Sequence, residues 1–172
     1  MSVRRIAPPE MQPKDFSFSK DNLAWAKKEV TKYPEGRQQS AIIPLLWRAQ
    51  EQSGGWLPEA AIRHVAEFLD MAHIRALEVA TFYTMFNLWP VGKFHVQLCG
   101  TTPCRLRGAD DLEKICRKRI GVQSEITKDG KFSWVEVECL GACGFATPVM
   151  INEEFVESVT PAKVPEILKG LR

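Results

Sequence analysis

The sequence predicts an α+β fold built in two halves, the first helical and the second a mixture of strands and helices. Two observations support this prediction. Up to about residue 90, apolar residues recur at every third or fourth position, which is the period of an amphipathic helix. Beyond that point, two segments alternate between apolar and polar residues, which is the period of a half-buried strand. We therefore expect a flexible tail over residues 1–18, a helical domain over 19–90 and a sheet-containing domain over 91–172.

Four amphipathic helices joined by short turns are predicted within residues 19–90, and together they indicate a small helical bundle or arm. Ser19 can cap the first helix, and the turn-forming residues 34–36 end it. If Ser40 caps the second helix, Pro44 falls in its first turn, where proline is tolerated, and Pro58 suits the first turn of the third. The residues predicted to face the core are Leu23, Ala26 and Val30 of the first helix, Ile42, Leu45, Leu46 and Ala49 of the second, Ile62, Val65, Ala66 and Leu69 of the third, and Leu77, Ala80, Phe82 and Tyr83 of a fourth that runs to Phe86.

The second half reads as strands alternating with helices. A strand is predicted over residues 93–99, a helix over 109–120 and a second strand over 131–139. A short hairpin over 148–157 follows, and Pro161 opens a last helix. This order, βα-β-ββα, is that of a thioredoxin-like α+β sandwich.

Two pairs of cysteines are the most informative feature of the chain. Cys99 and Cys104 enclose four residues, Cys139 and Cys143 enclose three, and thirty-four residues separate the pairs. Each pair follows a predicted strand. If those strands are neighbours, both strand ends and both loops gather at one edge of the sheet, where four thiolates can hold a [2Fe-2S] cluster or a zinc ion.

The spacing favours an iron–sulfur cluster over zinc, with disulfides last. Structural zinc sites usually draw on tighter C-x2-C turns, whereas a four-residue gap also opens the plant-type ferredoxin loop. Residues 1–10 lack the apolar segment of a secretory signal, which indicates a reducing compartment where thiols bind metals, although a cleaved organellar presequence stays open. A zinc-stabilised interaction module without redox activity also stays open.

The roles of several residues near the two cysteine pairs are predicted from their positions in the sequence. Cys104 lies where a helix begins, so the helix dipole is expected to stabilise its thiolate. Cys116, the fifth cysteine, falls on the apolar stripe of a helix and is expected to be a buried core thiol. His95 shares a strand face with Cys99, which leaves open a role beside the cysteines. The charged residues expected to form a solvated face, or alternatively to tune or dock a bound group, are Arg105, Arg107, Glu136 and Glu138.

Composition and missing motifs exclude several classes of function. The chain has 172 residues, 45% of them hydrophobic and 26% charged, which is typical of a soluble globular protein. A net charge of +2 gives no reason to expect nucleic acid as a partner, and the longest apolar stretch, 41–47, is too short to span a bilayer. No dinucleotide, phosphate-binding or Ser/His/Asp motif is present, so a one-electron centre here must exchange electrons with another protein.

From about Tyr33 to the C-terminus, the chain resembles the thioredoxin-like [2Fe-2S] subunits of the proton-pumping NADH-quinone oxidoreductase, respiratory complex I. The residues that carry the resemblance are 55–58, 80–86, 99–104, 129–132 and 138–143. The resemblance implies one [2Fe-2S] cluster, for which Cys99, Cys104, Cys139 and Cys143 would be both the cofactor-binding and the metal-binding residues. Residues 91–172 would then be the thioredoxin-like [2Fe-2S] cluster domain.

The resemblance also implies a function and partners. The chain would transfer electrons within the complex, with no substrate site and no catalytic residue of its own, and would exchange an electron with the flavin of the NADH-oxidising partner subunit. Its helical half would pack against that subunit, and other peripheral-arm subunits would complete its surroundings. It would lie on the cytoplasmic side of the membrane, or on the matrix side in an organelle, as a peripheral component without direct membrane insertion.

Related systems remain as alternatives. The same module resembles the diaphorase part of NAD-linked hydrogenases and formate dehydrogenases, which the sequence separates poorly from complex I. A zinc-stabilised interaction module and a free thioredoxin-like ferredoxin are the two alternatives from other classes.

Overall fold

The computed structural model describes residues 6–171, which form two compact units that divide between Pro90 and Val91. The α+β fold class is confirmed, because helices occur in both units and a mixed four-stranded sheet lies in the second. Residues 1–5 of the predicted tail lie outside the described residues. The three-part division, with its tail over 1–18, stays a prediction.

Four α-helices make up most of the described part of the first unit. They are α1 (Lys20–Val30), α2 (Ile42–Gln52), α3 (Glu59–Phe68) and α4 (His73–Phe82). Their apolar faces meet in one core, because each helix carries apolar residues at a spacing of three or four. Ala7 and Phe18, which precede α1, are also buried, and the Ala7 N–H donates a hydrogen bond to the Leu88 carbonyl at 3.0 Å.

The helix starts follow the capping signals with one shift. The Ser19 side chain accepts a hydrogen bond from the Asn22 N–H, which confirms it as the cap of α1. Helix α2 begins at Ile42 after Ala41, so the condition that Ser40 caps it is not met; a short 3-10 turn over Gln38–Ala41 occupies that position. Pro44 still lies in the first turn of α2, as predicted.

The predicted end of the fourth helix is wrong. Helix α4 ends at Phe82 rather than at Phe86, and the side chain of Phe82 is 77% exposed instead of facing the core. Tyr83 is exposed as well. The reason is geometric: residues two apart on a helix point roughly 200° away from each other, so Phe82 cannot share the buried face of Ala80.

The second unit combines four strands with three helices in its described residues. The strands are β1 (Phe94–Cys99), β2 (Phe132–Val137), β3 (Val149–Ile151) and β4 (Glu154–Val156), and the helices are α5 (Thr102–Leu106), α6 (Ala109–Arg119) and α7 (Val164–Gly170). The sheet order is β2-β1-β3-β4. The helix predicted over 109–120 is confirmed as α6, and the short helix α5 precedes it. Gly108 separates the two helices with a positive φ of 98°.

Strand β1 is central, and its pairing with β2 is parallel. The register places Phe94 opposite Phe132 at one end and Cys99 opposite Val137 at the other. The approach of the two strands requires a glycine just before β1, because a Cβ on Gly92 would lie 2.5 Å from the backbone carbonyl carbon of Phe132. The carboxyl ends of β1 and β2 therefore lie side by side at one edge of the sheet.

The core of the second unit packs between the sheet and its helices. Trp134 of β2 is fully buried, and its indole N–H donates a hydrogen bond to the Gly121 carbonyl at 2.8 Å. Cys116 lies in the same core, which confirms the prediction of a buried thiol. Burial, assisted by the negative charge of Glu113, raises the pKa of Cys116 to about 11, so this thiol stays protonated near neutrality.

A buried polar pair lies at the opposite end of β1 from Cys99. The imidazole Nδ1 of His95 is 2.8 Å from the Ser133 Oγ, which also accepts a hydrogen bond from the Gly92 N–H at 2.9 Å. Four residues of extended strand span about 13 Å, so the contacts of His95 are with Ser133 rather than with the cysteines. Burial lowers the pKa of His95 from 6.5 to about 4.

We expect this histidine to make the second unit acid-sensitive. Between pH 6.5 and 4 the unfolded chain binds a proton at this position that the folded chain does not, so stability falls as the pH falls. The pKa shift from 6.5 to about 4 corresponds to a loss of about 3 kcal/mol between pH 7 and pH 4. Hydrogen exchange of the β1 and β2 peptides at the two pH values, converted to opening free energies, measures this loss in the wild-type chain and in His95→Asn.

The His95→Asn variant should lose less opening free energy than the wild type on acidification. His73→Asn, which makes the same substitution in the first unit, should keep the wild-type pH dependence in these peptides. An unchanged pH dependence in His95→Asn would contradict the assignment of the acid sensitivity to this residue.

Candidate metal centre

The four predicted ligand cysteines all lie at or after the carboxyl ends of β1 and β2. Cys99 is the last residue of β1, and Cys104 lies in the short helix α5 that follows. Cys139 comes two residues after β2 ends, and Cys143 opens a 3-10 turn over Cys143–Phe145. The parallel pairing of the two strands therefore delivers both pairs to one edge of the sheet.

The strand pairing continues one step into the first cysteine loop. The Gly100 N–H donates a hydrogen bond to the Val137 carbonyl at 2.9 Å, beyond the last paired residues of the strands. The Cys104 N–H then donates to the Thr101 carbonyl at 2.9 Å as the chain turns into α5. These bonds fix the backbone of the loop between Cys99 and Cys104.

The two pairs differ in their exposure to solvent. Cys99 and Cys104 are 1% and 0% exposed and pack with Ala109, Ala146 and Leu140. Cys139 and Cys143 are exposed. The first pair thus lies inside the protein, while the second lies in a surface loop.

The pKa of Cys99 depends on several neighbouring groups. Burial raises the pKa of Cys99, but hydrogen bonds from the backbone of Thr101 and Leu140 and from the thiols of Cys104 and Cys139 outweigh it, so the net pKa is lowered. Cys99 is therefore the thiol of the buried pair that more readily carries negative charge.

Cys104 shows the opposite shift, and the prediction of a dipole-stabilised thiolate there is wrong. Burial raises the pKa of Cys104 most, and the hydrogen bond to Cys99 and the negative charges of Cys99, Cys143 and Cys139 raise it further. Helix α5 has only five residues, which is too short for its dipole to offset these effects. The other three cysteines therefore all contribute to the raised pKa of Cys104.

The donor atoms of the four cysteines fit an iron–sulfur cluster by their chemistry. Four thiols form a soft donor set, which suits iron–sulfur clusters and zinc. The Gly141 N–H donates a hydrogen bond to the Cys139 Sγ at 3.3 Å, and Gly141 reaches this position with a positive φ of 71°. Within residues 6–171, no group of three or more His, Cys, Asp and Glu side chains is arranged to hold a metal ion as it stands.

Charged and apolar residues surround the cysteine loops. The predicted charged face is partly an ion-pair network, because Arg105 contacts Glu136 at 2.7 Å and also contacts Asp110. The sequence interpretation missed Asp110 and this pairing, since Arg105 and Glu136 are thirty-one residues apart and only the strand register brings Glu136 beside the first loop. Leu106 and Phe145, which lie two residues after Cys104 and Cys143, are exposed apolar residues.

Comparison with known proteins independently supports the family resemblance seen in the sequence. The sequence model of the family described as thioredoxin-like [2Fe-2S] ferredoxin matches residues 26–172. The chain is 58% identical over 170 residues to an E subunit of NADH-quinone oxidoreductase (the one numbered 1) from Rhizobium meliloti, covering 98% of this chain and 62% of that protein. It is 55% identical over 159 residues to the E subunit of NADH-quinone oxidoreductase from Rickettsia bellii, covering 92% and 95%.

A eukaryotic relative shows the same similarity. The chain is 46% identical over 158 residues to the mitochondrial NADH dehydrogenase [ubiquinone] flavoprotein 2 of Dictyostelium discoideum, covering 91% of this chain and 64% of that protein. The chain thus spans less than two thirds of the Rhizobium and Dictyostelium relatives and nearly all of the Rickettsia one. The resemblance seen in the sequence is confirmed, and the chain belongs to the thioredoxin-like [2Fe-2S] ferredoxin family, among relatives named as E subunits of NADH-quinone oxidoreductase.

Proposed function

We propose that this chain transfers electrons as a subunit of an NADH-quinone oxidoreductase of the complex I type, in which Cys99, Cys104, Cys139 and Cys143 hold one [2Fe-2S] cluster. The observation that carries the proposal is the parallel pairing of β1 and β2, which brings both cysteine pairs to one edge of the sheet. The support from comparison is the Rickettsia bellii E subunit, which matches over 95% of its own length at 55% identity.

Different residues of the chain would have different roles in such a centre. When bound, the cluster supplies the capacity to take up and release one electron. Cys99 and Cys104, which are buried, would hold it from inside the protein, and the Gly141 N–H, which donates to the Cys139 sulfur, would stabilise negative charge there. The exposed loop of Cys139 and Cys143 gives a second protein a short path to the centre.

The proposed partner is the flavin-containing, NADH-oxidising subunit of the same complex, with other peripheral-arm subunits around it. The first unit offers surfaces for such contacts, because Ile74 and Phe82 of α4 and Tyr83 just beyond it are large apolar side chains exposed to solvent. Among residues 6–171, no helix has the length and apolar character needed to cross a membrane. The proposed location is peripheral, on the cytoplasmic side of the membrane or on the matrix side in an organelle.

The domain organisation proposed with this function has three parts. A tail over residues 1–18 precedes a helical domain over 19–90 that contacts the partner, and a thioredoxin-like [2Fe-2S] domain over 91–172 holds the cluster.

A diaphorase subunit of a hydrogenase or formate dehydrogenase would use the same centre with a different terminal partner. A zinc module would use the same thiols without electron transfer.

The first test is the metal content of the full chain purified without oxygen, with and without single cysteine substitutions. We expect about two irons and two sulfides per chain and an S = 1/2 EPR signal after dithionite reduction. Cys139→Ser should lose or distort this signal, because a serine oxygen is a harder and poorer ligand than a thiolate. Cys116→Ser is the matched control, since Cys116 lies in the core away from the four ligands, and it should keep the spectrum.

Two results would contradict the assignment. Zinc at about one per chain, with no iron and no signal after reconstitution, would leave a structural module. Loss of the spectrum in Cys116→Ser while one of the four proposed ligand variants keeps it would show that the ligand set is wrong.

A second test concerns the partner. Co-expression of this chain with the flavin-containing subunit should give a stable complex that elutes as one species in size-exclusion chromatography. Phe82→Ser should weaken this association about tenfold or more, because a large exposed apolar side chain at an interface commonly contributes that much. Phe155→Ser removes an exposed phenylalanine from the second unit and serves as the matched control. Equal affinities for Phe82→Ser and the wild type would exclude this face of α4 from the interface.

A further inference from the structure

Arg105 connects three separate segments beside the proposed cluster. Its Nε donates a hydrogen bond to the Gly100 carbonyl at 2.8 Å. One terminal nitrogen of the guanidinium contacts the Asp110 carboxylate, and the other contacts the Glu136 carboxylate at 2.7 Å. The planar guanidinium thus uses three of its donors on three different partners.

Each partner of Arg105 belongs to a segment next to the cysteines. Gly100 directly follows Cys99, and Asp110 lies in the first turn of α6. Glu136 lies in β2, opposite Leu98, and the chain reaches Cys139 three residues later. Arg105 therefore holds the loop of the first cysteine pair against the strand that leads to the second pair.

Gly100 leaves the space that this arrangement requires. A Cβ placed on Gly100 would overlap the Glu136 Oε1, the same oxygen that accepts the hydrogen bond from Arg105. Any side chain at position 100 would push the Glu136 carboxylate away from the guanidinium. The glycine, the glutamate and the arginine are thus mutually dependent.

The network contributes little to the stability of the fold itself. The side chains of Arg105 and Glu136 are 46% and 29% exposed, and ion pairs this exposed add little to unfolding free energy. The effect of Arg105 should therefore concern the geometry and charge of the loops it joins. Without it, the carboxylates of Asp110 and Glu136 would lose the cation that they share.

We propose that Arg105 is a positioning residue of the metal centre, which fixes the Cys99–Cys104 loop against β2 and offsets the negative charge of Glu136 and Asp110 beside the cluster. This inference rests on the proposed function for its electrostatic part. Its geometric part concerns the thiols alone and holds whether or not a cluster is bound.

The geometric part is tested on the full-length chain without metal. Alkylation of each cysteine by iodoacetamide, followed by mass spectrometry, measures the access of reagent to the buried pair. In Arg105→Gln, the loop loses its contact with β2, and alkylation of Cys104 should be about tenfold faster than in the wild type. Arg119→Gln is the matched control, because it removes the same charge at the far end of α6, and its alkylation rate should equal the wild-type rate.

The electrostatic part is tested on the full chain loaded with iron and sulfide, by redox titration of the EPR signal. Arg105→Gln removes a positive charge, so the ratio of reduced to oxidised cluster at a fixed potential should fall about threefold. This corresponds to a midpoint potential roughly 28 mV lower, since a tenfold change for one electron is about 59 mV. Glu136→Gln should shift the potential in the opposite direction, and Arg119→Gln should leave it unchanged.

Two further variants separate charge from geometry. The double variant Arg105→Gln with Glu136→Gln should return close to the wild-type potential, while its Cys104 alkylation stays fast. Arg105→Lys should keep the wild-type potential, because the ammonium group carries the same charge. Its Cys104 alkylation should still be faster than in the wild type, because an ammonium group lacks the planar set of donors that contacts three partners at once. If Arg105 acted only on folding, the potential would not fall in Arg105→Gln, and Glu136→Gln would have no lowered potential to restore.

The outcomes distinguish this inference from the proposed function. Unchanged alkylation and an unchanged potential in Arg105→Gln would overturn the inference while leaving the cluster in place. If no variant and no wild-type chain binds iron, the proposed function fails, and the alkylation rates alone decide whether Arg105 positions the loop. An Arg105→Gln potential that rises instead of falling would overturn the electrostatic part.

Discussion

The proposed metal centre depends on one constraint, the parallel pairing of β1 with β2 in a single register. Because the two strands run in the same direction, their carboxyl ends meet at one edge, and both cysteine loops leave from there. A slip of one residue would turn Val96 and Leu98 out of the core and invert every side chain of β1. Burial of these residues therefore fixes the register, and the register in turn fixes where the thiols meet.

The unequal exposure of the two cysteine pairs reconciles two opposing requirements. A cluster is protected by burial, since water access and hydrogen bonding at the sulfurs influence its stability and potential. Electron exchange with another protein requires that the centre lie near the surface. The buried pair of Cys99 and Cys104 meets the first requirement, and the surface loop of Cys139 and Cys143 meets the second.

Local patterns predicted what depends on local physics. The fold class, the Ser19 cap and the burial of Cys116 follow from residue spacing and side-chain chemistry within a few positions. The errors concern tertiary context. The pKa of Cys104 depends on burial and on three other thiols rather than on its own helix, and the partner of Arg105 on β2 is set by the strand register. The exposure of Phe82 could have been predicted, because the helical angle separates it from Ala80.

Negative charge on the neighbouring thiols disfavours ionisation of Cys104, which argues against free thiol chemistry at this edge of the sheet. Cys99 is the more easily ionised thiol of the buried pair, and its negative charge makes ionisation of Cys104 harder. In the proposed centre, four thiolates could coexist only if a cation neutralised them, so metal binding would release protons and would weaken as the pH falls. A bound metal would then stabilise the Cys104 thiolate, which burial and the negative charge of its neighbours otherwise disfavour.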